Sequence, residues 1–171
     1  MKINFTLLLS LITLYIIGPV LVDFGSVLPA IKVITTRNDS LRVAEEAAQF
    51  CTLPYRAPEL FDPEKGTTID ARTDIWSLGC LLFAWRFAYS PFECEFTEHG
   101  VSRPVESSHS RVLSNPPRPN KTNPDDETLL ILVSYILERN ISKRPRIVDL
   151  IQKIDMELQK IEINNWQPDF V

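Results

Sequence analysis

The most constraining stretch of this sequence runs from Asp74 to Trp85, where Ile75, Trp76, Leu78, Leu81, Leu82, Phe83 and Trp85 fall almost all round a helical wheel. A helix that is apolar on nearly every side is stable in water only when the rest of the chain encloses it. The fold is therefore expected to be built around this helix, with Asp74 as its N-terminal cap. Two amphipathic helices downstream can flank it. Residues 127–138 present Leu129, Leu130, Val133, Ile136 and Leu137, and residues 147–161 present Ile147, Leu150, Ile151, Ile154, Leu158 and Ile161. Upstream, residues 40–50 are rich in helix formers, with Ser40 as the cap and Leu41, Ala44 and Ala48 on one stripe. Pro54 and Pro58 predict an extended segment, and Asp62-Pro63-Glu64-Lys65-Gly66 a turn. Residues 100–126, with Pro104, Pro116, Pro117, Pro119 and Pro124, read as a long loop or mobile insertion. Within it, Pro116-Pro117-Arg118-Pro119 has the form of an SH3 or WW ligand, although a plain proline-rich loop is the better reading.

The 171 residues suit one domain or part of a larger one. Eighteen Lys and Arg against 22 Asp and Glu leave a net charge of −4, so no overall positive field favours nucleic acid as a partner. Cys51, Cys80 and Cys94 form no Cys-x-x-Cys pair and read as free thiols of a reducing compartment. Asn4, Asn38, Asn120 and Asn140 open Asn-x-Ser/Thr sequons, a pattern common by chance. Residues 1–22 contain no Asp or Glu, and the apolar run within residues 3–17 is membrane-like. It is short for a spanning helix, which needs about 20 apolar residues, and no Ala-x-Ala cleavage site follows it. A signal, an anchor, a buried strand and foreign sequence from a mis-spliced or truncated gene model all stay open for residues 1–18.

Asp23-Phe24-Gly25 follows the strand-like Val20-Leu21-Val22, and Ala57-Pro58-Glu59 comes about 30 residues later, the order and separation of a known signature set. Asp74-Ile75-Trp76-Ser77-Leu78-Gly79 then opens the buried helix, and Arg144-Pro145 precedes the last one. In these four ordered motifs the chain resembles the C-terminal lobe of a eukaryotic protein kinase over residues 19–161. The phrasing is most similar to the Numb-associated group of serine/threonine kinases, which includes an acylated Golgi-associated member. The residues that carry this are Pro19-Val20-Leu21-Val22-Asp23, Ala47-Ala48-Gln49-Phe50-Cys51-Thr52, Tyr55-Arg56-Ala57-Pro58-Glu59-Leu60-Phe61 and Arg72-Thr73-Asp74-Ile75-Trp76-Ser77-Leu78-Gly79-Cys80.

The resemblance implies an α+β protein kinase-like fold, here mainly its α-helical C-terminal lobe without the N-terminal lobe, followed by a tail at 162–171. It implies ATP-dependent phosphoryl transfer to Ser or Thr of proteins, with Asp23, Phe24 and Gly25 at the cofactor and Asp23 holding Mg²⁺ against the ATP phosphates. By the same resemblance Glu59 pairs with Arg144 and ties the activation segment to the helical core, while Asp74 accepts backbone hydrogen bonds from the catalytic loop. Ala57, Pro58, Trp76 and Gly79 are structural members of these motifs. Thr52, seven residues before Glu59, falls where serine/threonine kinases place a threonine touching the catalytic aspartate. Thr35, Thr36 and Ser40 lie in the activation segment, where a phosphate can pair with arginine, although plain exposed hydroxyls are the simpler reading. The implied partners are a protein substrate or a partner kinase, and the implied place is cytoplasmic, with association to Golgi or other membranes.

Phosphoryl transfer in this family also needs a Gly-rich loop, a strand lysine and a His-Arg-Asp loop. None occurs in these 171 residues, and no carboxylate precedes Asp23. By family spacing the catalytic Asp and Asn would fall roughly 13 to 18 residues before Asp23, on Phe5 and Ser10. The chain is therefore expected to be an incomplete copy, inactive alone, with Leu82 or Phe83 exposed where a preceding helix should pack. The alternative is a non-catalytic, pseudokinase-type interaction module, with a membrane anchor at residues 3–17 or with the apolar run filling part of that gap. An N-terminal acylation signal is not available, because Lys2 stands where Gly is required. His99 and His109 have no partner at a telling spacing.

Overall fold

A computed structural model describes residues 24–165. The apolar run, the strand expected at residues 20–22, Asp23 and residues 166–171 lie outside the described residues. Within them the chain is mainly helical: α1 (Arg37–Phe50), α2 (Arg72–Phe87), α3 (His109–Val112), α4 (Pro124–Ile136) and α5 (Ile147–Asn165). The last helix therefore runs past residue 161, where the sequence placed its end. Two short antiparallel strand pairs accompany the helices. β1 (Lys32–Val33) pairs with β2 (Thr68–Ile69), with Lys32 opposite Ile69, and β3 (Cys94–Phe96) pairs with β4 (Ser102–Pro104), with Glu95 opposite Arg103.

The start of α1 differs from the expectation. Thr36, not Ser40, is its cap: Thr36 Oγ1 accepts the Asp39 amide at 3.2 Å, and Asp39 Oδ2 accepts the Thr36 amide at 2.8 Å. This reciprocal capping box fixes the helix one turn earlier. It also rotates the stripe, so that Ser40, Val43 and Ala47 face inward while Leu41 and Ala48 are exposed and Ala44 is half-buried. The small inward residues let α1 lie against a 3₁₀ turn at Pro58–Leu60.

Asp74 does not cap α2. Ala71 holds the cap position without a side-chain bond, and Asp74 is the third helical residue. Asp70 Oδ1 accepts the Arg72 amide at 2.9 Å, which satisfies an early backbone donor and lets the helix begin sooner. Ile75, Trp76, Gly79, Cys80, Phe83 and Phe87 are buried and Leu82 is half-buried, whereas Leu78 is 42% and Trp85 70% exposed. The enclosure expected all round the helix is thus confined to one side, and Phe83 lies within it. The helix stops at Ala88, which adopts the left-handed conformation at φ 70° and donates its N–H to Ala84 O at 2.8 Å.

Pro124 sits in the first turn of α4, where its missing N–H costs nothing, and Asn123 Oδ1 caps the helix through the Asp126 amide at 2.7 Å. Its buried Leu130, Val133 and Ile136 pack onto α2. They extend the main core of Ile34, Val43, Ala47, Trp76, Phe83 and Phe92 and build a smaller cluster of Ile75, Ile136 and Leu150. The stripe predicted on α5 is only partly used. Leu150 is buried and Ile154 half-buried, while Ile147, Ile151 and Leu158 are exposed, because the helix is rolled towards the Leu150 edge of its apolar arc.

Residues 100–126 are not a featureless insertion. They contain β4, α3 and the first turn of α4. Pro119 is buried, and Arg118 is held by Glu127 at 3.1 Å and Ser134 at 3.3 Å, which fixes the proline-rich segment against the body. No helix of the described residues is long and apolar enough to cross a membrane.

Candidate functional site

The site is assembled from two 3₁₀ turns, Leu53–Tyr55 and Pro58–Leu60, laid across the first turns of α2. Proline begins or follows closely in each turn, and its fixed φ favours such tight geometry. Backbone carbonyls left free there are taken up from a distance. Ser77 Oγ on α2 donates to Tyr55 O at 3.0 Å, and Ser90 Oγ donates to Pro54 O at 2.6 Å. Arg56 Nη2 reaches back to Cys51 O at 3.0 Å, and its guanidinium lies 5.1 Å from the Phe61 ring centroid. His109 also stacks on that ring, with centroids 4.1 Å apart and planes at 7°.

Glu59 is the centre. Its Oε1 accepts from Arg144 Nη1 at 2.8 Å and from Thr73 Oγ1 at 2.9 Å, and its Oε2 accepts from Arg144 Nη2 at 2.8 Å. Arg144 also donates through Nε to Glu138 O at 2.8 Å and through Nη1 to Arg72 O at 2.9 Å. Its side chain is 0% exposed, and its guanidinium carbon stands 4.9 Å from the Trp76 ring centroid. Trp76 in turn stacks on Phe92 at 5.4 Å with an interplanar angle of 4°. The two charges are out of water, but nearly every polar atom of the pair has a partner, the condition under which such a pair is tolerated. Ala57 is fully buried beside it.

This arrangement brings Ala57, Pro58, Glu59, Thr73, Trp76 and Arg144 into one anchor. Gly79 belongs to the same helix, at its closest approach to α4. Asp74 accepts no hydrogen bond from the described residues, and partial desolvation raises its carboxyl above the ordinary range. Thr52 is exposed at the start of the Leu53–Tyr55 turn, where its carbonyl accepts the Tyr55 amide at 3.0 Å. Tyr55 is pushed up to about 12, mainly by burial and then by the Glu93 carboxylate.

Gly25 is exposed within a 3₁₀ turn at Phe24–Ser26, and Asp23, the Mg²⁺ candidate, lies outside the described residues. Among the described residues no three His, Cys, Asp or Glu side chains are grouped to hold a metal. No step through ATP or Mg²⁺ follows from these residues. Thr35 and Thr36 are exposed but engaged with Asp39, and Ser40 is buried, accepting from Arg37 Nη1 at 3.3 Å. The Asp39 carboxyl is held well below the usual range, first by the Thr35 hydroxyl and then by the Thr36 amide and hydroxyl. Ser77, Ser90 and Thr73 were not legible beforehand as members of the site. A hydroxyl that serves a carbonyl far along the chain leaves no local pattern.

The arrangement can hold and orient a backbone segment around Thr52. The sequence profile of the protein kinase domain matches residues 20–154. The chain is 33% identical over 141 residues to serine/threonine-protein kinase ppk13 of Schizosaccharomyces pombe, covering 82% of this chain and 39% of that protein. It is 36% identical over 137 residues to serine/threonine-protein kinase 16 of Mus musculus, covering 80% of this chain and 43% of that protein. With serine/threonine-protein kinase ENV7 of Saccharomyces cerevisiae it shares 31% identity over 140 residues, covering 80% of this chain and 37% of that protein. The chain thus spans about two-fifths of the length of these curated relatives.

Proposed function

Because the chain belongs to the protein kinase domain family, we propose that it supplies the helical C-terminal lobe of an ATP-dependent protein serine/threonine kinase of the Numb-associated group. The observation that carries this reading is the buried Glu59–Arg144 pair, which fastens the Ala57-Pro58-Glu59 segment beneath Thr52. In that role the anchor makes the Thr52 segment a rigid platform against which a substrate hydroxyl is presented. Asp23 would hold Mg²⁺, whose chemistry when bound is to neutralise charge on the phosphates. The lobe would act in the cytoplasm, at Golgi or other membranes. Thr35 and Thr36 would be the modification positions of the activation segment, and Ser40, being buried, the least accessible of the three.

These 171 residues contain no His-Arg-Asp base, so they are expected to transfer no phosphate by themselves. The test is a melting curve of the purified chain with and without Mg-ATP, beside a phosphate-transfer assay on a generic Ser/Thr substrate. A magnesium-dependent rise in Tm without turnover supports a lobe that retains nucleotide contacts. Turnover by the chain alone overturns the reading.

A second reading, a non-catalytic interaction module, is favoured by the uncovered side of α2, where Leu78 and Trp85 stand in solvent beside an intact anchor. Exposed apolar surface of this kind marks a contact site. Recovery of a partner whose binding is lost on Trp85→Glu, in a chain that keeps its circular dichroism, would favour this reading over the first.

A further inference from the structure

At the start of α2, the turn before β2 and the turn between α4 and α5 enclose an open recess of about 520 Å³. Its polar wall consists of Lys65, Thr67, Thr68, Arg72, Asn140 and Ser142, with no carboxylate among the lining residues. Each of these side chains can donate a hydrogen bond. No described residue bonds to Lys65 Nζ or to the hydroxyls of Thr67, Thr68 and Ser142. Asn140 spends its carbonyl oxygen on the Ser142 amide at 2.9 Å, which leaves its NH₂ to offer. Arg72 is held by Asp70 through Nε at 3.0 Å and Nη2 at 2.7 Å, so the guanidinium is already oriented while Nη1 is uncommitted. Asp70 has a second cation near it, since Arg146 joins Arg72 in lowering its carboxyl.

We propose that this recess is an oxyanion site that takes a phosphomonoester. A phosphate dianion offers three acceptor oxygens, which matches the ammonium, three hydroxyls and amide of a lining that contains no carboxylate. A volume of this size admits a phosphoryl group with the side chain that bears it. The opening lies on the surface and is polar, which suits a group presented by a peptide as well as free phosphate. The two share one chemistry. Of these residues only Arg72 touches the anchor around Glu59, and it does so through its backbone carbonyl, so the inference does not rest on the kinase reading.

The test uses the full chain, with backbone amide shifts followed by NMR as inorganic phosphate is added in low-salt, sulfate-free buffer. A second titration uses a phosphoserine peptide and its unphosphorylated form. Saturable shifts confined to residues 65–68 and 140–142 are expected with phosphate. Lys65→Gln should weaken binding about tenfold, the scale of one charge-assisted hydrogen bond, and Ser142→Ala should weaken it less. Tighter binding of the phosphopeptide than of phosphate identifies a docking point for a modified chain, and equal binding identifies a free-anion site. Shifts that never saturate, or that are the same in Lys65→Gln with circular dichroism unchanged, overturn the proposal. So does equal binding of the unphosphorylated peptide.

Discussion

Gly79 on α2 faces Ile136 at the end of α4 so closely that a β-carbon built on the glycine would stand 2.6 Å from Ile136 Cγ2 and 3.2 Å from its Cβ. The contact is a helix crossing in which one partner has no side chain. Ile136 cannot yield by swinging a flexible end, since its branch point is itself in contact and its χ1 is restricted in a helix.

Gly79→Ala is therefore expected to destabilise the chain by about 1–3 kcal/mol despite the better helix propensity of alanine. Urea denaturation followed by circular dichroism measures it. A variant as stable as the parent would show that α2 and α4 separate at little cost.

Arg144→Met should be more damaging. It leaves the Glu59 carboxylate, only 7% exposed, without its two guanidinium bonds. A loss of about 3–5 kcal/mol is expected for one partner removed from a buried pair. The double variant Glu59→Gln, Arg144→Met should recover part of it, because no charge is then stranded. A double variant worse than the sum of the singles would mean that the pair is not the source of the loss.

Asp39 sets an acid limit on α1. Its carboxyl titrates lower in the folded chain than in the unfolded one, so on acidification the unfolded chain takes up the proton first. The stability it contributes is complete above about pH 4, the unfolded value, and falls away as the pH drops towards its folded value. Melting the parent and Asp39→Ala between pH 7 and pH 2 should show a gap in Tm that is widest near neutrality and closes below about pH 4. A gap independent of pH would separate the cap from the carboxylate charge.

The three thiols should react in a fixed order. Cys80 is fully buried and desolvation drives its thiol far above the ordinary range, Cys94 is pushed up to about 11 by burial and then by Glu93, and Cys51 is partly exposed. Iodoacetamide at pH 8 is expected to label Cys51 first and Cys80 only after urea is added, as read by mass spectrometry. Early labelling of Cys80 would reveal an opening of α2 from the core.

Motifs that act through long side chains were readable in the sequence; geometry that depends on how a helix is rolled was not. Glu59 and Arg144 stand 85 residues apart and were matched through the resemblance, and the structure joins them. The cap of α1 was misread although Thr36-x-x-Asp39 carries the spacing of a capping box, because Ser40 stands at a competing position nearer the apolar run. Asp74 looked like a cap for the same local reason, while the donor was satisfied by Asp70 two residues upstream of the helix. The stripe on α5 was seen in sequence, but which edge of it turns inward is decided by Ile75 and Ile136 on other helices. The burial of Pro119 likewise depends on residues that no local pattern names.

The span between Glu59 and Arg144 also orders events in time. A ribosome adding about 5–20 residues per second needs roughly 4 to 17 s to travel from one to the other. Throughout that interval Glu59, Thr73 and the Arg72 carbonyl have emerged or are emerging without the guanidinium that joins them. The N-terminal part of the anchor is thus made early and locked last, and a nascent chain stalled before Arg144 would present Trp76 and Phe83 to whatever chaperone is near.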